Sequence, residues 1–548
     1  MIYRNSLEIA RLTYLPKHPP GLSERAAAVK SAPPEASSEE VRALFPHTFD
    51  LPAISFEQGD TPAESRPIRV GVILSGGPAP GGHNVIAGLF DGLKRIHAGS
   101  SLFGFRNGPS GILGNSGIEF DGPLIDGYRN TGGFDIIGSG RTKLQSKEDF
   151  EKALETARAR KLDGLVVIGG DDSNTNACML AEFALNAGSP LQVLGVPKTI
   201  DGDLKNKQVE TSFGFDTASK VYSDLIGNLH RDAISIRKYW HFIKLMGRSA
   251  SHIALECALQ THPTITLISE EVAEREMTLH EIADQIADSV CHRANNGENF
   301  GSVLIPEGLV EFIPEMRALI RELNDVLATG FDEFNALETL AHKREYVNEC
   351  LSPASAGLYR QLPIDIANQL LLDRDPHGNV QVAKVDTQRL LIELVEIRLA
   401  TMKARGLYNG TFTPQHHYLG YEGRCAAPSN FDADYSYSLG FTAALLLREG
   451  TTGYMATVRK LTHPHGEWIP GGIPLSRMMC LERRHGVNVP VIRKALVDLE
   501  GPAFRELAAY RDGWSKKTSF SFPGPVQYFG PQDVCDRTTL TLQLETAS

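Results

Sequence analysis

The sequence predicts an α/β protein built as two three-layer units, each a parallel sheet with helices on both faces, and three observations carry that expectation. Near-continuous apolar runs recur along the chain, glycine clusters follow several of them, and helical patterns separate one run from the next. Strands written as unbroken apolar runs belong to parallel sheets covered on both faces, and their alternation with helices gives the layered order. At roughly 150 residues per domain, 548 residues suffice for two to four domains.

Residues 1–67 hold prolines at 16, 19, 20, 33, 34 and 46, two short helical patterns and no strand signal, so they read as an N-terminal arm. The first strand spans 68–75, ends in glycines and leads into a helix over 85–97. The same strand, turn and helix recur at 164–168, Gly169-Gly170 and 174–185. A third strand, 191–196, stops at Pro197, which has no ladder donor. Strands at 240–245, 264–269 and 301–305 belong to the second unit. From 311 to 405 the pattern is helical, as at 387–403, with one short strand expected at 381–384. From Tyr418 the chain reads as loop and helix, 441–447 being a buried helix. The expected domains are an arm over 1–67, a first α/β domain over 68–238 completed by 430–515, a second over 239–430 with a helical insertion at 311–410, and a C-terminal segment over 516–548.

Lys and Arg number 55 against 66 Asp and Glu, and the net charge of −11 disfavours nucleic-acid binding. A content of 42% hydrophobic and 22% charged residues excludes a disordered or collagen-like chain. The seven cysteines include no C-x-x-C pair, which argues against a disulfide framework or a cysteine zinc site and for a reducing, cytoplasmic compartment. No apolar run approaches the roughly 18 residues of a membrane span, and the N-terminus lacks a secretory apolar core. The 51 glycines exceed the ordinary share, and their positions direct the search for chemistry.

Three clusters stand at the carboxyl ends of strands in the first unit, where parallel sheets bind ligands. Ser75-Gly76-Gly77-Pro78-Ala79-Pro80-Gly81-Gly82 lets backbone approach a ligand and precedes a helix N-terminus suited to an anion. It matches neither the P-loop nor the dinucleotide fingerprint, and alone it reads first as a tight turn. Gly169-Gly170-Asp171-Asp172-Ser173 sets two acids side by side, which calls for a cation such as magnesium bridging to phosphate oxygens; a helix cap plus a solvent-facing acid is an equal reading. Pro197-Lys198-Thr199-Ile200-Asp201-Gly202-Asp203 joins two carboxylates able to deprotonate a hydroxyl to a lysine able to offset phosphoryl charge. A lone Asp-Gly-Asp is more often a turn. Convergence of all three on one crevice is what favours chemistry.

These clusters, with Met246-Gly247-Arg248, Pro306-Glu307-Gly308 and Tyr421-Glu422-Gly423-Arg424, occur in the order found in phosphofructokinases. The chain resembles the long, pyrophosphate-dependent form of that family, from about residue 68 to about 440. The resemblance implies two Rossmann-like units with the active site in the cleft between them. It implies that Asp201 takes the proton of the fructose 6-phosphate 1-hydroxyl, with Thr199 and Ile200 shaping its loop and Asp203 assisting. Asp171 matches the Mg²⁺ ligand, Gly76 and Gly77 the loop that holds pyrophosphate, and Arg141 an arginine bridging donor and acceptor phosphates. Met246, Gly247 and Arg248 match the sugar loop, Glu307 a carboxylate that accepts from a sugar hydroxyl, and Tyr421 and Arg424 the grip on the 6-phosphate. Arg248 is counted with Asp201, Asp203, Asp172 and Lys198 as catalytic. Lys238 and Tyr239 resemble a pair given across a subunit interface, which implies a homodimer or higher homo-oligomer with a shared active site.

Asp172 stands where ATP-dependent relatives carry glycine, and Lys198 where they carry a small residue. A carboxylate there sets like charge against a nucleotide's α-phosphate, costing about 4 kcal/mol at about 4 Å and an effective dielectric of about 20. The expected reaction is reversible, magnesium-dependent phosphoryl transfer from pyrophosphate to fructose 6-phosphate, in glycolysis or gluconeogenesis. The alternatives are an ATP-dependent 6-phosphofructokinase and a non-catalytic regulatory subunit of the same family. Retention of Asp171, Asp201, Asp203, Arg248, Glu307 and Arg424 counts against the second.

Overall fold

The computed structural model describes residues 4–34, 39–144, 146–372, 380–484 and 487–547. The chain divides into two compact units, Met1–Val221 with Tyr421–Ala495 and Val526–Thr546, and Tyr222–Gly420 with Leu496–Pro525 and Ala547–Ser548. The first unit opens with β1 (Ala26–Ser31), β2 (Ala53–Gln58), β3 (Arg69–Leu74), β4 (Ser101–Phe105), β5 (Gly117–Glu119), β6 (Gly164–Gly169), β7 (Gln192–Thr199) and β8 (Phe213–Gly214). The second unit holds β9 (Trp240–Leu245), β10 (Ile265–Thr266), β11 (Gly301–Pro306) and β12 (Pro414–Leu419). The chain then returns to the first unit with β13 (Tyr454–Arg459), β14 (Ile469–Pro474), β15 (Met479–Arg484) and β16 (Val487–Ile492).

The large sheet has the order β1-β2-β14-β13-β7-β6-β3-β4-β5, with β8 beside β7. Its middle, β13-β7-β6-β3-β4, is parallel, and its flanks are antiparallel. Every residue of β6 is buried, as its unbroken apolar run requires. Helices Gly82–Ile96 and Asp171–Asn186 follow β3 and β6, so their N-termini open beside the carboxyl ends of those strands. Phe105, Leu165, Val193, Met455 and Ile473 sit in one core, each contributing about 1.5–3 kcal/mol by burial. In the second unit β10-β11-β9-β12 form a wholly parallel sheet, packed through Trp240, Phe242, Val303, Ile286 and Leu391.

The α/β class read from the sequence is the observed one, and several elements differ in detail. Residues 1–67, read as strandless, supply β1 and β2, which extend the large sheet through the pairing of Ser55 with Gly471. β7 runs through Pro197 to Thr199. Pairing with β13 ends at Gly195 and pairing with β8 begins at Lys198, so the proline falls in a gap that needs no donor. β10 is only two residues long, and the strand expected at 381–384 is a 3-10 turn, Val382–Lys384. Five strands, β12 to β16, appear from 414 onward where loop and helix were expected. Between Pro314 and Ala404 every regular element described is helical. Among the described residues no helix is long and apolar enough to cross a membrane.

Candidate active site

The glycine loop after β3 is pinned at its start: Ser75 N–H donates to Ile168 O and Gly76 N–H to Gly140 O, each at 2.8 Å. Gly76 has φ of +84°, and a Cβ there would lie 3.0 Å from Lys198 Nζ. A Cβ on Gly77 would overlap the guanidinium of Arg424. Gly76 is glycine for its positive φ, and Gly77 because the Arg424 guanidinium occupies the place of a Cβ. Ser173 Oγ donates to Ser75 Oγ at 2.8 Å and joins the second cluster to this loop.

Lys198 is 6% exposed. Burial first, and then Arg424, pull its ammonium down to about 8, with Arg141 adding to the fall while Asp201 and Asp171 oppose it. Three cations from β7, the 139–143 loop and the 421–424 turn thus share one space, an arrangement suited to a strongly anionic ligand. Arg141 itself is exposed.

The two acids of the second cluster open the helix Asp171–Asn186, whose N-cap is Gly170, so neither caps it by a side chain. Asp171 pairs with Lys494 at 3.4 Å and Asp172 with Lys143 at 3.0 Å. The Asp172 side chain is 50% exposed. Its ion pair and solvent screen the charge repulsion expected of it toward a nucleotide, so what remains to exclude one is mainly volume.

In the third cluster the Asp201 N–H donates to Thr199 Oγ1 at 3.1 Å, and Gly202 takes φ of +74°, which turns the chain between the carboxylates. Asp201 is half-buried and Ile200 buried. Asp203 is 6% exposed, and burial, then Asp201 and Asp171, push its carboxyl up to about 7 against the pull of Lys494. Three carboxylates that crowd one another in this way fit a divalent cation. Among the described residues no group of three or more His, Cys, Asp or Glu side chains is arranged to hold a metal ion by itself, so an ion such as Mg²⁺ held by Asp171 would complete its shell with water and phosphate oxygens.

Gly214, at the end of β8, fixes the two loops against each other. Its φ is +96°, and a Cβ there would lie 2.8 Å from Ala79 Cβ and 3.4 Å from Ile200 Cγ2. Its N–H donates to Asp432 Oδ1 at 3.0 Å, and Asp432 also accepts from Thr217 N–H at 2.9 Å. The buried Asp432 thus holds the start of the helix Phe215–Ile236 and, through Gly214, the spacing of the glycine and carboxylate loops.

In the second unit, β9 ends at the loop Met246-Gly247-Arg248. Met246 is buried, its N–H donating to Leu419 O, and Arg248 is exposed. Gly247 N–H donates to Glu307 Oε2 at 3.0 Å and Tyr418 OH to Glu307 Oε1 at 2.9 Å, so the buried Glu307 braces this loop. Lys244 Nζ lies 4.7 Å over the Tyr418 ring, and burial pulls its ammonium down while Glu307 and Asp386 oppose that. Lys238, exposed over the Tyr239 ring at 5.4 Å, sits at the other end of β9, about 26 Å from Met246 at about 3.3 Å per residue.

The first unit therefore brings together Gly76, Gly77, Arg141, Asp171, Lys198, Thr199, Ile200, Asp201, Asp203 and Arg424. The second gathers Met246, Gly247 and Glu307 around the start of the Arg248 loop and leaves Lys238 and Tyr239 apart from it. Tyr421 and Arg424, expected within the domain over 239–430, fall in the first compact unit. Tyr421 is 66% exposed, with the Arg424 guanidinium 5.7 Å from its ring. Sequence reasoning missed Lys494, Lys143 as a partner of Asp172, and Tyr418. None lies in a glycine cluster, and only the fold reveals the carboxylates they meet.

Comparison with known proteins follows this geometry. The profile of the phosphofructokinase family matches residues 69–347. A pyrophosphate–fructose 6-phosphate 1-phosphotransferase of Treponema pallidum is 55% identical, covering 98% of this chain and 96% of its own, and one of Porphyromonas gingivalis is 53% identical over 99% of both. The crystal structure of a pyrophosphate-dependent phosphofructokinase from Marinobacter aquaeolei shares the fold at a TM-score of 0.52 and 18% identity, over 83% of this chain and 93% of that one. With its ordered glycine and carboxylate loops and near full-length relatives above half identity, the chain belongs to the phosphofructokinase family.

Proposed function

We propose that the protein catalyses reversible phosphoryl transfer from pyrophosphate to the 1-hydroxyl of fructose 6-phosphate, giving fructose 1,6-bisphosphate and phosphate. The observation that carries this reading is the seat of Lys198 on Gly76 beside Arg424 and Arg141, a cation cluster matched to two linked phosphates. The names of the long relatives point the same way.

Asp201 accepts the proton of the 1-hydroxyl, and the ionised Asp203 behind it favours that transfer through like-charge repulsion. Lys198 and Arg141 offset the charge on the transferred and leaving phosphates, so catalysis rests on position and electrostatics. Asp171 would hold Mg²⁺, with Asp203 nearby; when bound, the ion neutralises phosphate charge. Glu307, braced by Gly247 and Tyr418, keeps lone pairs for a sugar hydroxyl, beside Met246 and Arg248. Tyr421 and Arg424 grip the 6-phosphate, and the place of Arg424 on Gly77 keeps its fork beside the donor loop as well. Asp172, tied to Lys143, disfavours a nucleotide by filling space.

The test is an assay of purified protein with fructose 6-phosphate and magnesium, supplying either pyrophosphate or ATP. Rapid turnover with pyrophosphate and little with ATP is expected; equal turnover with ATP, or none with either donor, overturns the reading. The same assay in the ligand-free pH regime should give a bell-shaped kcat/KM for pyrophosphate. It falls below pH about 7, where Asp203 takes up its proton, and above about 8, where Lys198 loses its own. Lys198→Arg should extend the alkaline limb, because a guanidinium keeps its proton to above about pH 12.

A homodimer or larger assembly with a shared site belongs to this proposal. Lys238 and Tyr239 lie a strand's length from Met246 and are supplied to a second copy. The mass of the active species in solution checks it. A cytoplasmic setting belongs to the same reading and rests on seven cysteines that include no C-x-x-C pair.

A further inference from the structure

We propose that Lys494 sets the charge balance of the donor site, neutralising Asp171 and drawing pyrophosphate toward it. Its ammonium lies 3.4 Å from Asp171 Oδ2, and it belongs to no motif of the chain. The backbone is fixed on both sides: Arg493 N–H donates to Met478 O at 3.0 Å and Ala495 N–H to Asp203 O at 2.7 Å. The second bond ties the lysine's backbone to the carboxylate loop itself, so its place relative to Asp203 is built in.

An ammonium in ion-pair range of a carboxylate keeps its charge at neutral pH, and Asp171 lies in that range. Lys143 pairs with Asp172 and Lys494 with Asp171, so each of the two adjacent acids meets a lysine from another segment. A cation so placed has two consequences of opposite sign. It repels an incoming divalent ion, and it attracts pyrophosphate. Removing it should therefore strengthen cation binding and weaken anion binding, a pattern that damage to packing does not give.

The inference rests on the reading of Asp171 as cation ligand and of pyrophosphate as donor. Lys494→Met and Lys494→Arg in the full chain are compared with the parent by calorimetry, using Mn²⁺ without pyrophosphate and pyrophosphate without metal, together with the KM for fructose 6-phosphate. In Lys494→Met the Mn²⁺ dissociation constant should fall roughly tenfold and that for pyrophosphate rise roughly tenfold, the scale of one partly screened charge. The KM for fructose 6-phosphate should stay within about twofold, and Lys494→Arg should return both affinities toward the parent. Shifts in the same direction, no shift, or failure of arginine to restore them overturn the inference. If Lys494→Met does not fold, Lys494→Gln carries the same comparison. A parent that binds neither probe overturns the donor reading and this inference with it; a parent that binds both, with an unshifted variant, overturns only this one.

Discussion

Asp201→Asn should leave both substrates bound within a few-fold of the parent and lower kcat by about 10²–10⁴-fold, the share of a positioned base. That loss equals about 3–5 kcal/mol of transition-state stabilisation. The substitution keeps size and the Thr199 contact, since that bond uses the Asp201 backbone N–H, and removes only the ability to take a proton. Asp203 is the competing base, because its carboxyl already stands near 7. Its burial keeps it from a sugar hydroxyl, whereas Asp201 is half-buried and reachable. Single-turnover kinetics in both variants separates the two: near-parental kcat in Asp201→Asn with a collapse in Asp203→Asn would transfer the role to Asp203.

Lys198→Met should lower kcat/KM with pyrophosphate by about 10²–10³-fold while raising thermal stability. The two effects share one cause. Burial and the neighbouring guanidinium of Arg424 hold the Lys198 ammonium down at about 8 from 10.5, so the folded chain disfavours the charge it keeps at neutral pH. Because this folded value lies below the unfolded one, the penalty is full below about 8, shrinks as the pH rises between the two values, and is gone above 10.5. At pH 7 it amounts to about 3 kcal/mol, of which methionine should recover a part. Melting of the ligand-free protein at pH 7 should therefore move up by roughly a few degrees in Lys198→Met, and the gain should fade toward pH about 10. Lower stability together with parental activity would remove Lys198 from the mechanism.

The central strands β3, β6 and β7 were legible because each is largely buried and so carries a near-continuous apolar run, ending at glycines after β3 and β6 and at Pro197 in β7. β1 and β2 were not: β1 pairs only with β2, and β2 joins the large sheet through β14, far along the chain. β14 was hidden by its own composition, Pro470, Gly471, Gly472 and Pro474, which reads as a turn until Ile54 and Ser55 are seen opposite it. The candidate site divides in the same way. Gly76, Asp171, Lys198 and Asp201 lie in compact clusters whose residue types announce anion chemistry. Lys494 and Lys143 are single lysines in ordinary surroundings, and what defines them is a carboxylate contributed by another loop. The sequence showed the bare charge of Asp172 and not its neutralising partner, which is why its action on a nucleotide was overstated.

The large sheet also sets a timetable for biosynthesis. β7 ends at Thr199 and its parallel neighbour β13 begins at Tyr454, with all four strands of the second sheet made in between. At ribosomal speeds of about 5–20 residues per second, the nascent chain spends roughly tens of seconds with β7 as an open edge. The sheet β9 to β12 is encoded contiguously and can close during that wait. An unpaired parallel edge invites pairing with other chains, so translation rate and chaperone supply should govern the yield of folded protein more than its final stability does.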